Sequence, residues 1–484
     1  MALFRVRAGA GILLATVAAV SLAQTPPLPL SATASDPVKL ELMQGSPPPA
    51  DKQITFQNGG QFPNLRWTLQ HMRELVPSRN VWRGAGGAAE LPRAERDWSG
   101  FAFEDDRGQR IGIDAYAERS YTDAIVVLHK GRVVLERYWT GMTPNTPHAV
   151  FSVTKSLTGV LASQLIAEGK LDPNAKVSSY LPELAGTAWD DATVQQTLDM
   201  TAGVKFREDY ADPTSEVIQY AISSGLVPMP PTWSGPRDTI TFLKTLKKEG
   251  EHGAGFTYKT VHSEIIGWLV HRVTGKPFSQ NLSERVWSKM GAENDASINI
   301  DRLGFESMGS GFNATARDLA RFGEMLRNDG QVGGMFSRQQ LVSKAAVEMI
   351  RAGGDREKFK AGNQAARPGY SYRNQWWILH NADGAFEASG IHGQYIHVNP
   401  KAEVVIVRLG STPRRRQRSP ARPAHARLPG HRRHRSLNSL QQGAVPSWNA
   451  ADPAPPGRWH CPRQGVGEAD TKCRAAWGRA IMPR

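Results

Sequence analysis

Ser152-Val153-Thr154-Lys155 is an S-x-x-K element with the spacing of a nucleophile and its activating base. Residues three apart on a helix share a face, so the Lys155 ammonium can approach the Ser152 hydroxyl. A serine hydroxyl is a poor nucleophile until something takes its proton. A lysine can do this only when neutral, which needs desolvation or nearby positive charge to lower its pKa. A helix N-terminus supplies part of that field and stabilises negative charge near the serine. Taken alone the pattern is weak, because an N-capping serine followed by a solvated lysine looks the same.

Two further elements could serve the same chemistry. Gly255-Phe256-Thr257-Tyr258-Lys259-Thr260 places a phenol beside an amine, where it can exist as phenolate or relay a proton. The competing reading of Tyr258 is a core aromatic. Ala388-Ser389-Gly390-Ile391-His392-Gly393-Gln394 offers glycines that let a substrate approach backbone N–H groups, as an oxyanion hole requires. A β-turn entering an edge strand would read alike. Glu208 reads as a loop acid, and His262 and Glu264 as structural. No G-x-S-x-G, H-E-x-x-H or C-x-x-C competes, and neither metal nor cofactor is implied.

These residues need elements to hold them. Ala124–Lys130 and Arg132–Tyr138 are rich in Val, Ile and Leu, and Lys130-Gly131 between them predicts a hairpin. After Phe151 the apolar positions 157, 160, 161, 165 and 166 recur with helical spacing, and Gly169 ends the run. Ile265–Val270 starts a buried helix, and Thr315 caps another that ends near Asn328. Strand signals return in Gln394–Val398 and Glu403–Leu409, turned by Asn399-Pro400-Lys401. Strands at both ends with helices between predict one sheet closed by distant segments around an inserted helical region.

Composition bounds the setting. With 40% hydrophobic and 21% charged residues the chain is globular. Its net +14 is misleading, because residues 413–484 hold 14 Arg and one Lys against three acids, leaving only +2 on residues 1–412. The main body therefore names no nucleic-acid partner. Arg5, Arg7, the apolar run Gly11–Val20 and Ser21-Leu22-Ala23 predict a signal peptide over residues 1–23, an uncleaved anchor being the alternative. That implies a periplasmic or secreted protein with no stable membrane insertion after cleavage. Residues 24–60, rich in Pro, Ser, Thr and Gln, read as a linker, and 61–410 as the catalytic domain. Residues 411–484 read as a basic low-complexity tail, disordered or the product of a shifted reading frame near Pro413. Both cysteines, Cys461 and Cys473, lie there, so the body must be stable without disulfides.

The three elements, in this order, resemble those of the serine β-lactamase and penicillin-binding-protein superfamily on its class C and esterase side. A closer resemblance is to the 6-aminohexanoate-dimer hydrolases. It is carried also by Phe62-Pro63-Asn64-Leu65-Arg66-Trp67, His71-Met72-Arg73-Glu74-Leu75-Val76-Pro77, Asp199-Met200-Thr201-Ala202-Gly203 and Glu208-Asp209-Tyr210-Ala211-Asp212-Pro213, and covers roughly residues 60–410. The resemblance implies an α/β (α+β) fold of β-lactamase/transpeptidase type, with an antiparallel sheet flanked by helices. It implies an acyl-serine at Ser152, proton removal by Lys155, a relay through Tyr258 and an oxyanion held by the N–H groups of Ser152 and Ile391. Gly390 and His392 would line the substrate, and Tyr210 would touch the leaving nitrogen, a structural tyrosine being the alternative. The implied substrate is a small linear amide or ester. Ala388-Ser389-Gly390 stands where β-lactamases carry Lys-Thr-Gly, and Thr260 where they carry Asn, which disfavours β-lactams. A D-alanyl peptidase, a weak β-lactamase or a non-catalytic relative are the other readings. The superfamily's closing helix finds no counterpart after Pro413, so the expectation is a sheet with apolar surface uncovered.

Overall fold

The computed structural model describes residues 29–104, 108–210, 212–333, 338–362 and 367–413. The expected signal segment and the basic tail lie outside the described residues, as does the question of what covers the sheet beyond Pro413.

The hairpin forms as β1 (Thr122–His129) and β2 (Arg132–Tyr138). Its loop, Lys130-Gly131, has φ of +54° and +73°, the left-handed pair that a two-residue turn needs to match strand twist. Five later strands complete the sheet: β3 (Ser371–Arg373), β4 (Trp376–Ile378), β5 (Phe386–Gly390), β6 (Gln394–Asn399) and β7 (Val404–Gly410). Their order is β3-β4-β5-β6-β7-β1-β2, antiparallel throughout. β7 pairs with β1, Val405 opposite Leu128 and Val407 opposite Val126, so the two ends of the domain close one sheet. β6 is interior, not an edge strand.

Three helices carry most of the packing that positions the site. α1 (Val153–Ala167) buries Leu157, Val160, Leu161 and Leu165 to 1% exposure or less. It packs flush with the β3–β4 turn, because a Cβ at Gly159 would lie 2.1 Å from the Asn374 carbonyl oxygen. Ser156 Oγ donates to the Gln375 carbonyl (2.8 Å) and Trp376 Nε1 to the Ser156 carbonyl (3.1 Å), fixing the helix on the sheet. α2 (Val261–Thr274) packs against α1. α3 (Ala316–Arg327) is capped by Thr315, whose side chain accepts from the Asp318 N–H, and lays Gly323 against Val405 and Ile396. Between α1 and α2 runs the inserted region of short helices, its core built from Trp189, Leu198, Phe242 and Leu243.

The segment read as a linker is not one from residue 29 onward. Leu42 and Ile54 bury against Trp67. Thr33 bonds the Glu118 carboxylate through both its N–H and its hydroxyl. Arg66, 1% exposed, donates to Ser35 Oγ (2.9 Å) and to the Ala32 carbonyl. Proline and polar residues concealed this because the segment docks through hydrogen bonds and a few scattered apolar side chains, without periodicity.

Candidate active site

Ser152 occupies the N-cap of α1, but its side chain makes no capping hydrogen bond. Its Oγ instead accepts from Lys155 Nζ at 3.0 Å. Lys155 is 1% exposed and donates also to the Gly309 carbonyl at 2.6 Å. The pair thus differs from a capping serine and a solvated lysine in both members. Burial drives the Lys155 ammonium down to about 8, against the opposing pull of the Glu208 and Glu264 carboxylates. A useful fraction of the amine is therefore neutral near physiological pH, the condition for accepting the Ser152 proton. Phe151, just before Ser152, has φ +45°, an uncommon conformation for a bulky side chain and a sign of strain at this turn.

Tyr258 sits over Lys155, the amine 5.3 Å from the ring centroid. Its ring stacks on Trp377 (5.4 Å, 18° between planes) and meets Tyr372 edge-on. Burial and the Glu208 charge push the phenol above its ordinary value, against a hydrogen bond with Ser152. Tyr258 thus rests as a phenol that can relay a proton, which separates the two possibilities its sequence context left open.

The third element reaches the same place. Gly390 ends β5, and a Cβ there would lie 2.5 Å from the Val150 carbonyl oxygen, two residues before Ser152. The His392 ring packs on Phe151 at 5.3 Å, and its Nδ1 is 2.7 Å from the Thr412 carbonyl. Ile391 lies between these two contacts, so its N–H belongs to the turn that abuts Ser152. Tyr210, 45% exposed, stands at the rim, its hydroxyl donating to Glu208 Oε1 at 3.4 Å.

Some of the site was not legible. Glu208 is no mere loop acid: its Oε1 accepts from the Thr260 N–H (3.3 Å) and from Thr260 Oγ1, and its charge acts on both Lys155 and Tyr258. Burial raises its own carboxyl, while Lys155 lowers it. Glu264, buried and pushed up to about 7 by burial, accepts from Tyr220 OH and from the N–H groups of Met308 and Gly309. It thereby orients the Gly309 carbonyl that receives Lys155. Arg367 brings a guanidinium to Ser389 Oγ at 3.0 Å and stacks 4.0 Å over Trp377, with Glu387 3.6 Å away. The position lacking a lysine is therefore not lacking a cation. These contacts span tens to hundreds of residues; only the glycine-rich Ser307-Met308-Gly309-Ser310-Gly311 was a visible signal. His262 is structural as read, receiving Trp189 Nε1 and driven down to about 3 by burial.

An antiparallel sheet with a buried helix presenting serine and lysine to a tyrosine defines a serine hydrolase of β-lactamase fold. The chain belongs to the β-lactamase family, whose model matches residues 113–429. It is 36% identical over 373 residues to 6-aminohexanoate-dimer hydrolase of Paenarthrobacter ureafaciens, covering 76% of this chain and 90% of that one. A solved structure from Bacillus anthracis, provisionally described as a 6-aminohexanoate-dimer hydrolase, superposes with a TM-score of 0.69 at 32% identity, over 75% of this chain and 92% of that chain. A β-lactamase of Providencia stuartii is 25% identical over 206 residues, 38% of this chain and 48% of its own. The protein is thus a hydrolase related to 6-aminohexanoate-dimer hydrolase. Among the described residues, no helix is long and apolar enough to cross a membrane.

Proposed function

We propose that this protein is an exported hydrolase that cleaves a small linear amide or ester through an acyl-serine intermediate. The observation that carries the reading is the 3.0 Å hydrogen bond from a buried, acidified Lys155 to Ser152 Oγ. Ser152 Oγ bonds to the substrate carbonyl carbon as its proton passes to Lys155 Nζ. The N–H groups of Ser152 and Ile391 receive the developing oxyanion. The bond to the leaving nitrogen or oxygen then breaks as Tyr258 gives that atom its proton and recovers one from Lys155. Water attacks the acyl ester by the same relay in reverse, releasing the acid and restoring Ser152. Tyr210 and His392 at the rim, with Gly390, would contact the substrate. Export rests on the basic and apolar pattern of residues 1–23.

A penicillin-recognising activity is the second reading, favoured by the Arg367 guanidinium at Ser389. Purified protein is to be assayed against p-nitrophenyl esters, short ω-amino-acid amides and nitrocefin. Turnover of esters and amides with little nitrocefin hydrolysis supports the first reading. Nitrocefin as the best substrate reverses it, and no turnover of any of the three refutes both.

A further inference from the structure

We propose that Arg66 is a positioning residue for the oxyanion hole, acting through the end of β7; this rests on the acyl-serine reading above. Arg66 touches no reacting atom, yet it stands at the centre of a buried network. Nε donates to Ser411 Oγ (2.8 Å), Nη2 to Asp123 Oδ1 (3.0 Å), and Nη1 to Ser35 Oγ and the Ala32 carbonyl. Asp123 is fully buried and meets His148 Nε2 at 3.4 Å. Removing an arginine and an aspartate from water is expensive, and such a pair is weak evidence for stability alone. What it fixes here is a place in the chain.

Ser411 lies between two residues that grip the oxyanion turn. On one side, Gly410 and Gln394 form a reciprocal pair: Gln394 Nε2 donates to the Gly410 carbonyl (2.6 Å) and the Gly410 N–H to Gln394 Oε1 (3.2 Å). The same Nε2 reaches the Ile391 carbonyl at 3.3 Å. On the other side, the Thr412 N–H donates to the His392 carbonyl (3.1 Å), and the His392 ring meets the Thr412 carbonyl. Residues 391–394 are therefore held by residues 410 and 412. Residues 411 and 412 are themselves tied to the chain just before β1, through the Ser411 N–H on the Tyr121 carbonyl (2.9 Å) and Thr412 Oγ1 on the Ser120 carbonyl (2.6 Å), and the Ser411 side chain is held by Arg66. Through Ala32 and Ser35 the N-terminal segment bears on the same arginine and acts as a strap behind the catalytic turn.

Oxyanion donors work only when aimed to within a fraction of an ångström, so loosening their anchor costs rate more than binding. Arg66→Met and the milder Ser411→Ala are to be compared with wild type, with active sites counted by a fluorophosphonate probe. The expected result is kcat per labelled site lowered by about tenfold with KM little changed, since aim and not substrate contact is lost. Affinity for an alkylboronic acid, which presents a tetrahedral anion, is expected to fall by a similar factor. The acid limb of the pH profile stays in place because Lys155 is untouched. Should Arg66→Met fail to fold, Ser411→Ala decides alone. Unchanged kcat per labelled site and unchanged boronate affinity would overturn the proposal, leaving Arg66 a structural clip. Absence of labelling in wild type would instead sink the acyl-serine reading on which it stands.

Discussion

Glu208→Gln offers a test in which the direction of the effect separates electrostatics from damage. After burial, which lowers it, the Glu208 carboxylate is the largest influence on Lys155, and it holds the amine's pKa up. The glutamine amide keeps an oxygen where the Thr260 N–H and hydroxyl donate, so the loop's attachment survives. What goes is the charge. An opposite charge close by is worth about one pKa unit or more, so Lys155 should fall from about 8 to near 7. At pH 7 the neutral fraction of the amine would then rise from about a tenth to about a half, roughly a fivefold gain in the reactive form. The assay is kcat/KM for a p-nitrophenyl ester from pH 5.5 to 9.5. The acid limb is expected to move about one unit lower, with activity at pH 7 higher than wild type despite the loss of an active-site carboxylate. Loss of Glu208 also relieves the upward push on Tyr258, in the same direction. A limb that stays in place or moves to higher pH would refute the reasoning.

Lys155→Met should abolish turnover while leaving the protein at least as stable as wild type at pH 7. Burial depresses this amine from 10.5 to about 8, so the unfolded chain binds more protons in that window and keeping the charge buried costs about 3 kcal/mol at neutral pH. Two lost hydrogen bonds return about 2 kcal/mol of that, and wild type should close the gap as pH rises toward 10, as read by urea unfolding. Gly390→Ala forces a Cβ onto the Val150 carbonyl, and kcat should fall about a hundredfold through the displaced oxyanion turn, checked by single-turnover kinetics. Ile54→Ala, 4% exposed, should destabilise by about 2–3 kcal/mol in chemical denaturation, whereas a linker residue would show nothing.

How much was legible follows from where each contact lies in the chain. The β1–β2 hairpin, α1 and the β6–β7 pair are local, and period and turn residues located each to within a few positions. The S-x-x-K element is local too; Tyr258 beside an amine and the glycines around Gly390 are legible as residue types, while the roles given to them come from the resemblance. Glu208 reads as a loop acid because the Tyr258 element already supplies a base, and its structural partner Thr260, 52 residues away, is linked to it by no periodicity. Arg367 reaches Ser389 by crossing a turn and stacking on Trp377, a geometry that sequence does not encode in spacing. The N-terminal segment reads as a linker from its Pro, Ser, Thr and Gln content, which hides the scattered apolar and hydrogen-bonded contacts it makes. Its anchor, Arg66, appeared in a recognised motif, but nothing local tied it to Ser411, 345 residues on.

The central claim is that Ser152 becomes acylated. Protein mixed with p-nitrophenyl butyrate, quenched in acid within milliseconds to seconds and digested, should yield a peptide carrying a butyryl group on Ser152 by mass spectrometry. That adduct should be absent from Ser152→Ala and should accumulate in Tyr258→Phe, where deacylation loses its relay. Turnover without any acyl-peptide in either protein, or an adduct on a different residue, would contradict the account.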